Sequence, residues 1–505
     1  MKTPKEKLSG DQLDEFLKSA SDYSMDAIKK HFSRYEPVSL YHNWRLLIRS
    51  IDEFLNLYHE IEDQNTANSF MELSFNFKND AELAKFMDVN SKVESQFGHE
   101  VAFRFLNFAK MNYHGTMDYA RMNLIEAMPF NFAYVKSALF YYQSKRKYFV
   151  TLLDLIPLWA QGTYKFNYIN TLKEFQYVID SCLQTVTTLY YDTVLKNAIS
   201  DFSIDFSVDP PVKSHSYYNL EGFFLEPQTL TMVDQLEFRA AQTEGTKSIV
   251  IPEDKVFSFA EAESNIQMVS SVFQKYEVGN ADEYLELSFL VYKLKDYCAD
   301  DFNICIPQAE FKQHIKPYIH KIKIFGNSND YFSASNFVSL FQLVDDMYYT
   351  SVVLLNRFIT SRMQIFLNKN KSFQINSGFV FEDKIRKILE NKGFEVTPIT
   401  RIERKEFDVI AIKGDKIYNF QCKNNLIDIS RVQENALLTT RLNKRLVRYY
   451  IKAYKKELDR ESLITDKLKL DKIEHFVISR YPVISELDYV INFNKLEQTI
   501  DRWFS

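Results

Sequence analysis

Glycine is nearly missing from this chain: 11 of 505 residues are glycine and 12 are proline, whereas glycine alone averages about 7% of globular sequences. Tight turns, bulges and left-handed corners draw on glycine because it has no Cβ. The scarcity argues against a propeller or a sandwich, which need many such turns, and against an enzyme built on a glycine-rich nucleotide loop. Disorder is excluded by 46% hydrophobic residues and a near balance of 62 Lys+Arg against 67 Asp+Glu. What remains is a mostly helical globular chain, long enough for two to four domains and at least one large core.

The four cysteines, Cys182, Cys298, Cys305 and Cys422, stand far apart, and no pair has C-x-x-C spacing. A disulfide framework is not expected, and a reducing cytoplasm fits better. The N-terminus has no apolar secretory segment. The most hydrophobic stretch, 149–159, contains Asp154 and Pro157 and is too short to span a bilayer, so it reads as a buried helix and no membrane partner is expected. His314 and His320 are six apart with Pro317 between them, which is not a zinc-binding helix spacing.

Residues 1–205 are dense in helical periodicity. Trp44, Leu47, Ile48, Ile51, Leu55 and Tyr58 follow one another in steps of one, three and four and keep one face apolar. Residues 206–260 are broken by Pro210, Pro211, Gly222, Pro227, Gly245 and Pro252 and read as an irregular or small β insertion, with a β-like run at 248–251. Helical patterning resumes over 261–371. The polar stretch 368–372 is the expected domain boundary. In 141–148, tyrosines interleave with Lys145, Arg146 and Lys147. Such a patch can stack bases, but in so aromatic a chain helix core with surface charge is the expectation.

Beyond the boundary the pattern alternates. Residues 379–391 form an amphipathic helix stopped by Lys392-Gly393. Strands are expected at 394–398, 407–412 and 417–423, with Gly414-Asp415 as the two-residue loop of a hairpin between the last two. Ser430 and Gln433 have capping-box spacing and would open a long helix to about 458. A strand at 475–479 and a helix at 494–503 close the domain. The order is α-β-β-β-α-β with a terminal helix, a mixed α/β domain over 372–505 behind a large helical region.

Four residues on three elements carry chemistry here. Glu382 lies on the first helix, Asp408 at the start of the second strand, and Gln421 and Lys423 on the third. Residues two apart on a strand share a face, so Gln421 and Lys423 project together and Cys422 is reversed. The hairpin brings Asp408 beside them. A carboxylate, an amide oxygen and an ammonium at one sheet edge suit phosphodiester hydrolysis, because Mg²⁺ binds through one or two carboxylates plus phosphate and water. A lysine beside it can orient the water and stabilise the charge that develops in the transition state.

At these residues the sequence resembles the PD-(D/E)XK nuclease superfamily, in its Mrr-like restriction-endonuclease branch. The resemblance covers about residues 375–503 and rests on GFVFEDKIRKILENKGFEV, EFDVIAI and YNFQCKNN. It implies a restriction-endonuclease-like core of α-β-β-β-α-β order. It implies Glu382 as the helix acid, Asp408 as the main metal ligand, Gln421 as an auxiliary ligand in place of the usual acid, and Lys423 as the catalytic lysine. The backbone carbonyl of Cys422 would also face the ion, which would be Mg²⁺ with Mn²⁺ able to substitute. Where the family often has a glycine-containing turn before its Asp, Arg404-Lys405-Glu406-Phe407 stands here. Glu406, two before Asp408, shares its strand face and reads as a solvated acid rather than an extra ligand.

The helix after the third strand carries Arg441, Lys444, Arg445, Arg448, Lys452, Lys455 and Lys456 within one arc of about 120°, with Leu442, Leu446, Tyr449 and Ala453 on a separate apolar stripe. No acid lies between Glu434 and Glu457 to pair with them. Beside a nuclease site, such a face reads as a phosphate-backbone surface. Charge divides accordingly. From Ser372 onward there are 25 Lys+Arg and 20 Asp+Glu, a net of +5, which leaves 37 and 47, a net of −10, before it. The expectation is a Mg²⁺-dependent endodeoxyribonuclease of prokaryotic defence or restriction, regulated or targeted by its helical region, with a homo-oligomer or a regulatory protein as further partners. A catalytically silent DNA-binding scaffold and an RNA- or tRNA-directed nuclease are the alternatives.

Overall fold

The computed structural model describes residues 4–119, 134–175, 179, 181–208, 211–214, 252–276, 282–326, 330–367, 369–424 and 436–504. The chain divides into two compact units. The first takes the residues up to Tyr190 and later ones up to Gln364, and the second is built on Ile365–Ser505. The β-like run expected at 248–251 and the capping box of Ser430 and Gln433 lie outside the described residues.

The first unit opens with α1 (Gly10–Phe32), α2 (Pro37–Glu60), α3 (Gln64–Met71), α4 (Asp80–Phe97), α5 (His99–Tyr119), α6 (Val135–Trp159) and α7 (Tyr168–Glu174). Pro37 sits in the first turn of α2, where its missing N–H costs nothing, and the Glu36 carboxylate accepts from the N–H groups of Val38 and Ser39. Trp44, Leu47, Ile48 and Ile51 are buried as the periodicity predicts, in one core with Phe54, Phe70, Phe86, Phe105, Phe108 and Phe149. Residues 149–159 form the end of α6 and are buried apart from Pro157 and Leu158.

The cations of 141–148 are a correction. Lys145, Arg146 and Lys147 are buried rather than on the surface. Arg146, 2% exposed, is held by both carboxylate oxygens of Asp52, 1% exposed, on α2. Beside it, Glu53 takes Arg49 and the bidentate fork of Arg104. Burial lowers the Lys145 ammonium to about 8. A charge on a buried helix face has no water to solvate it, and Arg146 is matched by a carboxylate on the helix it packs against.

Further helices are α8 (Ser181–Ala198), α9 (Phe259–Lys275), α10 (Asp282–Leu294) and α11 (Val352–Leu367). The helical expectation for 261–371 holds only in part. β1 (Asn303–Pro307), β2 (Gln342–Val344) and β3 (Met347–Ser351) form an antiparallel sheet in the order β1-β3-β2. The alternation of Ile304 and Ile306 inward with Asn303, Cys305 and Pro307 less buried is the period of a half-buried strand. Asp345 and Asp346, both at positive φ, make the two-residue turn between β2 and β3.

The second unit runs α12 (Lys371–Asn391), β4 (Glu395–Val396), β5 (Arg401–Ile402), β6 (Lys405–Glu406), β7 (Val409–Lys413), β8 (Lys416–Lys423), α13 (Ala436–Leu458), α14 (Glu461–Leu468), β9 (Lys472–Ser479), β10 (Val490–Asn492) and α15 (Leu496–Phe504). A five-stranded sheet has the order β10-β9-β8-β7-β4. β7 is antiparallel to β4 and β8, whereas β8, β9 and β10 run parallel. One sheet face, with Val409, Ala411, Tyr418, Phe420, Phe476 and Ile478, packs on Phe381, Ile385 and Leu389 of α12 and on Leu496 and Ile500 of α15. On the other face, Val477 and Val490 meet Leu442, Leu446, Tyr450 and Ala453 of α13. The expected hairpin turn is present, with Lys413 opposite Lys416 across Gly414-Asp415 and Gly414 at φ +64°.

Several expected boundaries move. α12 begins at Lys371 rather than 379, because the Asn370 side chain accepts from the Phe373 N–H and starts the helix there, inside the stretch expected to be a linker. The residues 407–408 precede β7 rather than belonging to it, and β10 and α14 were not anticipated. The apolar stripe of α13 uses Tyr450, not Tyr449. Tyr450 is fully buried with its hydroxyl 2.8 Å from Ser479 Oγ, whereas Tyr449 is 49% exposed.

Candidate functional site

The site lies where β7 begins and β8 ends. Val409 pairs with Phe420, so the residue before it, Asp408, arrives beside Gln421 and Cys422. Asp408 Oδ2 accepts the Cys422 backbone N–H at 2.7 Å and an N–H of the Gln421 amide. Residues one apart on a strand face opposite edges with their backbone groups, and a residue's own N–H and C=O share an edge. The Cys422 carbonyl therefore faces the same edge as the N–H that meets Asp408. Lys423, in turn, receives the Arg480 N–H on its carbonyl at 3.1 Å, from the β9 side.

α12 delivers Glu382. One turn further on, Arg386 donates to the backbone carbonyls of Asp408 and, at 3.3 Å, Thr397. This ties the helix to the strand entrance and sets Glu382 close enough to Asp408 to be raised by its charge. Burial first, and then the Asp408 charge, push the Glu382 carboxyl up to about 7, against Arg386 and Lys423. Burial likewise raises Asp408, while Lys423, the Cys422 N–H and the Gln421 amide hold it down. Burial lowers Lys423, and Asp408 opposes that. The Lys423 ammonium stands 5.6 Å from the centre of the Tyr449 ring. The Cys422 thiol is raised well above its ordinary value by burial, so it is no ready nucleophile. All four residues singled out from sequence thus come together, on the edge where two parallel strands end. Such carboxyl-end crevices are where open α/β sheets place ligands.

Behind them lies a network that sequence reading missed. Asn419, on the same strand face as Gln421 and Lys423, donates to Glu457 at 3.1 Å and meets His475 Nδ1 at 3.0 Å. Glu457, buried on α13, is paired with Arg460, which also donates to the Glu406 carbonyl at 3.0 Å. Both charges act on Lys423, Glu457 raising it and Arg460 lowering it. The two-residue period of Asn419, Gln421 and Lys423 was the available signal. Glu457 and Arg460 had none, because their helix register was not tied to the strand. Glu406 is exposed and paired with Arg401, as a solvated acid would be.

The donor set fits a hard divalent cation. Two carboxylates desolvated by burial stand near enough for Asp408 to raise Glu382, with Lys423 acting on both, an arrangement a bound cation relieves. Asp408 Oδ1 and both Glu382 oxygens make no hydrogen bond among the described residues. No group of three or more His, Cys, Asp or Glu meets among the described residues. The ligands available beyond the two acids are therefore neutral oxygens, the Cys422 carbonyl and the Gln421 amide, as Mg²⁺ accepts and zinc does not favour. Gln421 meets Asp408 through Nε2; its amide oxygen is the atom a metal would take.

On α13, Arg441, Lys444, Arg445, Arg448, Lys452, Lys455 and Lys456 are all exposed, and none has an ion-pair or hydrogen-bond partner among the described residues. Tyr449 stands among them, four after Arg445 and three before Lys452, with the Lys423 ammonium over its ring at 5.6 Å from the centre. The basic face and the site therefore meet at one side chain. No helix among the described residues is long and apolar enough to cross a membrane. Compared with protein-family models, curated proteins and solved structures, the chain has no significant match.

Proposed function

We propose that the chain is a metal-dependent endonuclease that hydrolyses DNA phosphodiester bonds, with its C-terminal unit a PD-(D/E)XK domain of the Mrr-like branch. The observation that carries this reading is the meeting of Glu382, Asp408, Gln421 and Lys423 at the end of β8, with both acids raised by burial and a cationic helix face one side chain away. Exposed strand-end charges would be solvated and unshifted; these are not.

Glu382, Asp408, the Gln421 amide oxygen and the Cys422 carbonyl would hold Mg²⁺ or Mn²⁺, which when bound polarises the scissile phosphate and acidifies a water. Asp408 is oriented by the Cys422 N–H and Gln421, which also oppose the rise that burial gives its carboxyl. Lys423 orients the attacking water and meets the charge that develops on the phosphate. Glu457 and Arg460 fix the field in which Lys423 sits. The exposed cations of α13 track the phosphate backbone, giving sequence-independent, salt-sensitive binding. The acidic helical unit is suited to control rather than to contact nucleic acid, which accords with a role in prokaryotic defence, where such an activity must be held in check.

The test is cleavage of supercoiled, linear and single-stranded DNA, and of RNA, by the full chain with Mg²⁺, Mn²⁺ or chelator. Metal-dependent DNA cleavage that disappears in both Asp408→Ala and Lys423→Ala is the expected result. Cleavage that survives either substitution assigns the chemistry elsewhere, and RNA-only cleavage overturns the substrate class.

A further inference from the structure

The hairpin of β5 and β6 breaks a local rule. Arg401 pairs with Glu406 and Ile402 with Lys405, leaving Glu403 and Arg404 as a two-residue turn. Both are left-handed, at φ 45° and 66°. Turns of this kind take Asn-Gly, Asp-Gly or Gly-Gly, because Glu and Arg carry a Cβ and a long side chain into a region that L residues avoid. Such strain persists only where the surroundings enforce it, and here they do. Ile399 and Ile402 pack beside Phe407, Ile410, Ile417 and Ile464. Phe407 N–H bonds the Thr400 carbonyl at 3.0 Å. Arg460 holds the Glu406 carbonyl at 3.0 Å, and its guanidinium lies 4.8 Å from the centre of the Phe407 ring.

At its tip the turn presents an exposed acid, Glu403, followed by two exposed cations, Arg404 and Lys405. Arg404 and Lys405 are exposed, and among the described residues neither has a hydrogen-bond or ion-pair partner. Glu406 is occupied by Arg401. The turn is also fixed in place relative to the chemistry, since Arg404 is four residues before Asp408, a span of at most about 14 Å. A DNA strand advances about 3.4 Å per phosphate, so the turn lies within about four nucleotide steps of a phosphate held at Asp408.

We propose that the Glu403-Arg404 turn is a second DNA-binding element, in which Arg404 and Lys405 hold backbone phosphates of the strand flanking the cut. It rests on the nuclease reading and adds to it a phosphate-binding element on the opposite sequence side of Asp408 from α13. The turn keeps Arg404 where glycine would fold more easily because the side chain is used.

The experiment compares the wild-type full chain with four variants: Glu403→Asn alone, which is the charge baseline for the double substitution, Glu403→Asn with Arg404→Gly, Lys405→Ala, and Arg404→Lys. Binding to a DNA duplex is measured across a salt series with Ca²⁺ in place of Mg²⁺, alongside cleavage and thermal melting. The Asn-Gly turn is expected to melt higher than wild type yet bind about tenfold more weakly than Glu403→Asn, with the slope of log K against log salt shallower by about 1. Lys405→Ala loses affinity in the same way, and Arg404→Lys, which keeps the charge, retains most of the affinity. An Asn-Gly variant that melts higher but binds and cleaves like Glu403→Asn overturns the proposal and leaves the nuclease reading standing. A wild-type chain that neither binds nor cleaves DNA overturns both. Preference of the turn for RNA, seen as a loss confined to RNA binding, overturns the ligand assigned here.

Discussion

Glu382→Gln separates folding from function in one substitution. The Glu382 carboxyl is raised from its ordinary 4.5 to about 7, chiefly by burial and then by Asp408. A raised carboxyl contributes its stability while it is protonated in both states, below about pH 4.5. It loses that contribution as pH climbs to about 7, because the unfolded chain ionises first. Above pH 7 a fully sheltered group of this kind would cost about 3 kcal/mol. Glu382 is only half-buried, and solvent screening brings the cost to about 1–2 kcal/mol. Glutamine keeps the shape and removes the charge. The variant should therefore match wild type near pH 4.5 and exceed it by about 1–2 kcal/mol at pH 8, a rise of about 2–8 °C in melting temperature for a unit of this size. Added Mg²⁺ should narrow the gap by stabilising wild type and leaving the variant unmoved, with the metal effect fading below pH 7 as Glu382 protonates. Cleavage should be lost in the variant at every pH. Melting curves of both proteins at pH 5 to 8, with Mg²⁺ and with chelator, read all of this. A variant less stable than wild type at pH 8, or a difference that does not change with pH, would refute the argument that Glu382 is a desolvated acid awaiting a cation.

Lys423→Met should abolish cleavage while duplex binding in Ca²⁺ changes less than about threefold, measured by anisotropy, since a transition-state group adds little to ground-state affinity. Replacing Arg441, Arg448 and Lys452 together by Ala should weaken DNA binding and flatten its salt dependence by about 0.9 for every phosphate that is no longer neutralised, and an unchanged slope would remove α13 from the interface. Asp52→Ala should destabilise the helical unit by about 3–5 kcal/mol, because it leaves the buried Arg146 guanidinium without its carboxylate. Thermal unfolding checks this, and a loss under about 1 kcal/mol would mean that the pair is not sheltered.

What could be read in the sequence was whatever follows from spacing along one element. Gln421 and Lys423 share a face because strands have a period of two, and the Gly414-Asp415 turn then fixes Asp408 beside them. What could not be read depends on partners far along the chain. Nothing in residues 141–148 says that Arg146 is buried, because its carboxylate, Asp52, is 94 residues away. β1 is five residues ending at Pro307, and its pairing partner, β3, begins only at Met347, beyond several short helical segments and β2. β10 is three residues long and exists by lying parallel to β9. The choice between Tyr449 and Tyr450 is a rotation of about 100° on one helix, and it was decided by Ser479 on a strand behind it. The acid and lysine of the site were legible because a hairpin is local; the Glu457–Arg460 pair that shapes their field was not.

The scarcity of glycine bounds the number of turns that form easily, not the number of turns. Gly414 and Gly393 take left-handed positions at a hairpin and a helix end, as expected. Gly10 and Gly98 are at positive φ as well, and among the described residues the left-handed positions not taken by glycine are Asp345 and Asp346 in the β2–β3 turn, Lys469 at the end of α14, and Glu403 and Arg404 in the β5–β6 turn. These are not equivalent. Aspartate tolerates the left-handed region because its short carboxylate bonds locally, and a single residue ending a helix has much of its strain offset by the bond its N–H makes to Thr465. Two consecutive long side chains have neither help. In a chain whose local preferences otherwise agree with its fold, the strongest disagreement falls four residues before Asp408 and puts an exposed cation at the tip. Local conflicts concentrate where a sequence is constrained by something other than folding, and the closeness of this one to Asp408 is what the proposed phosphate-binding role of the turn requires.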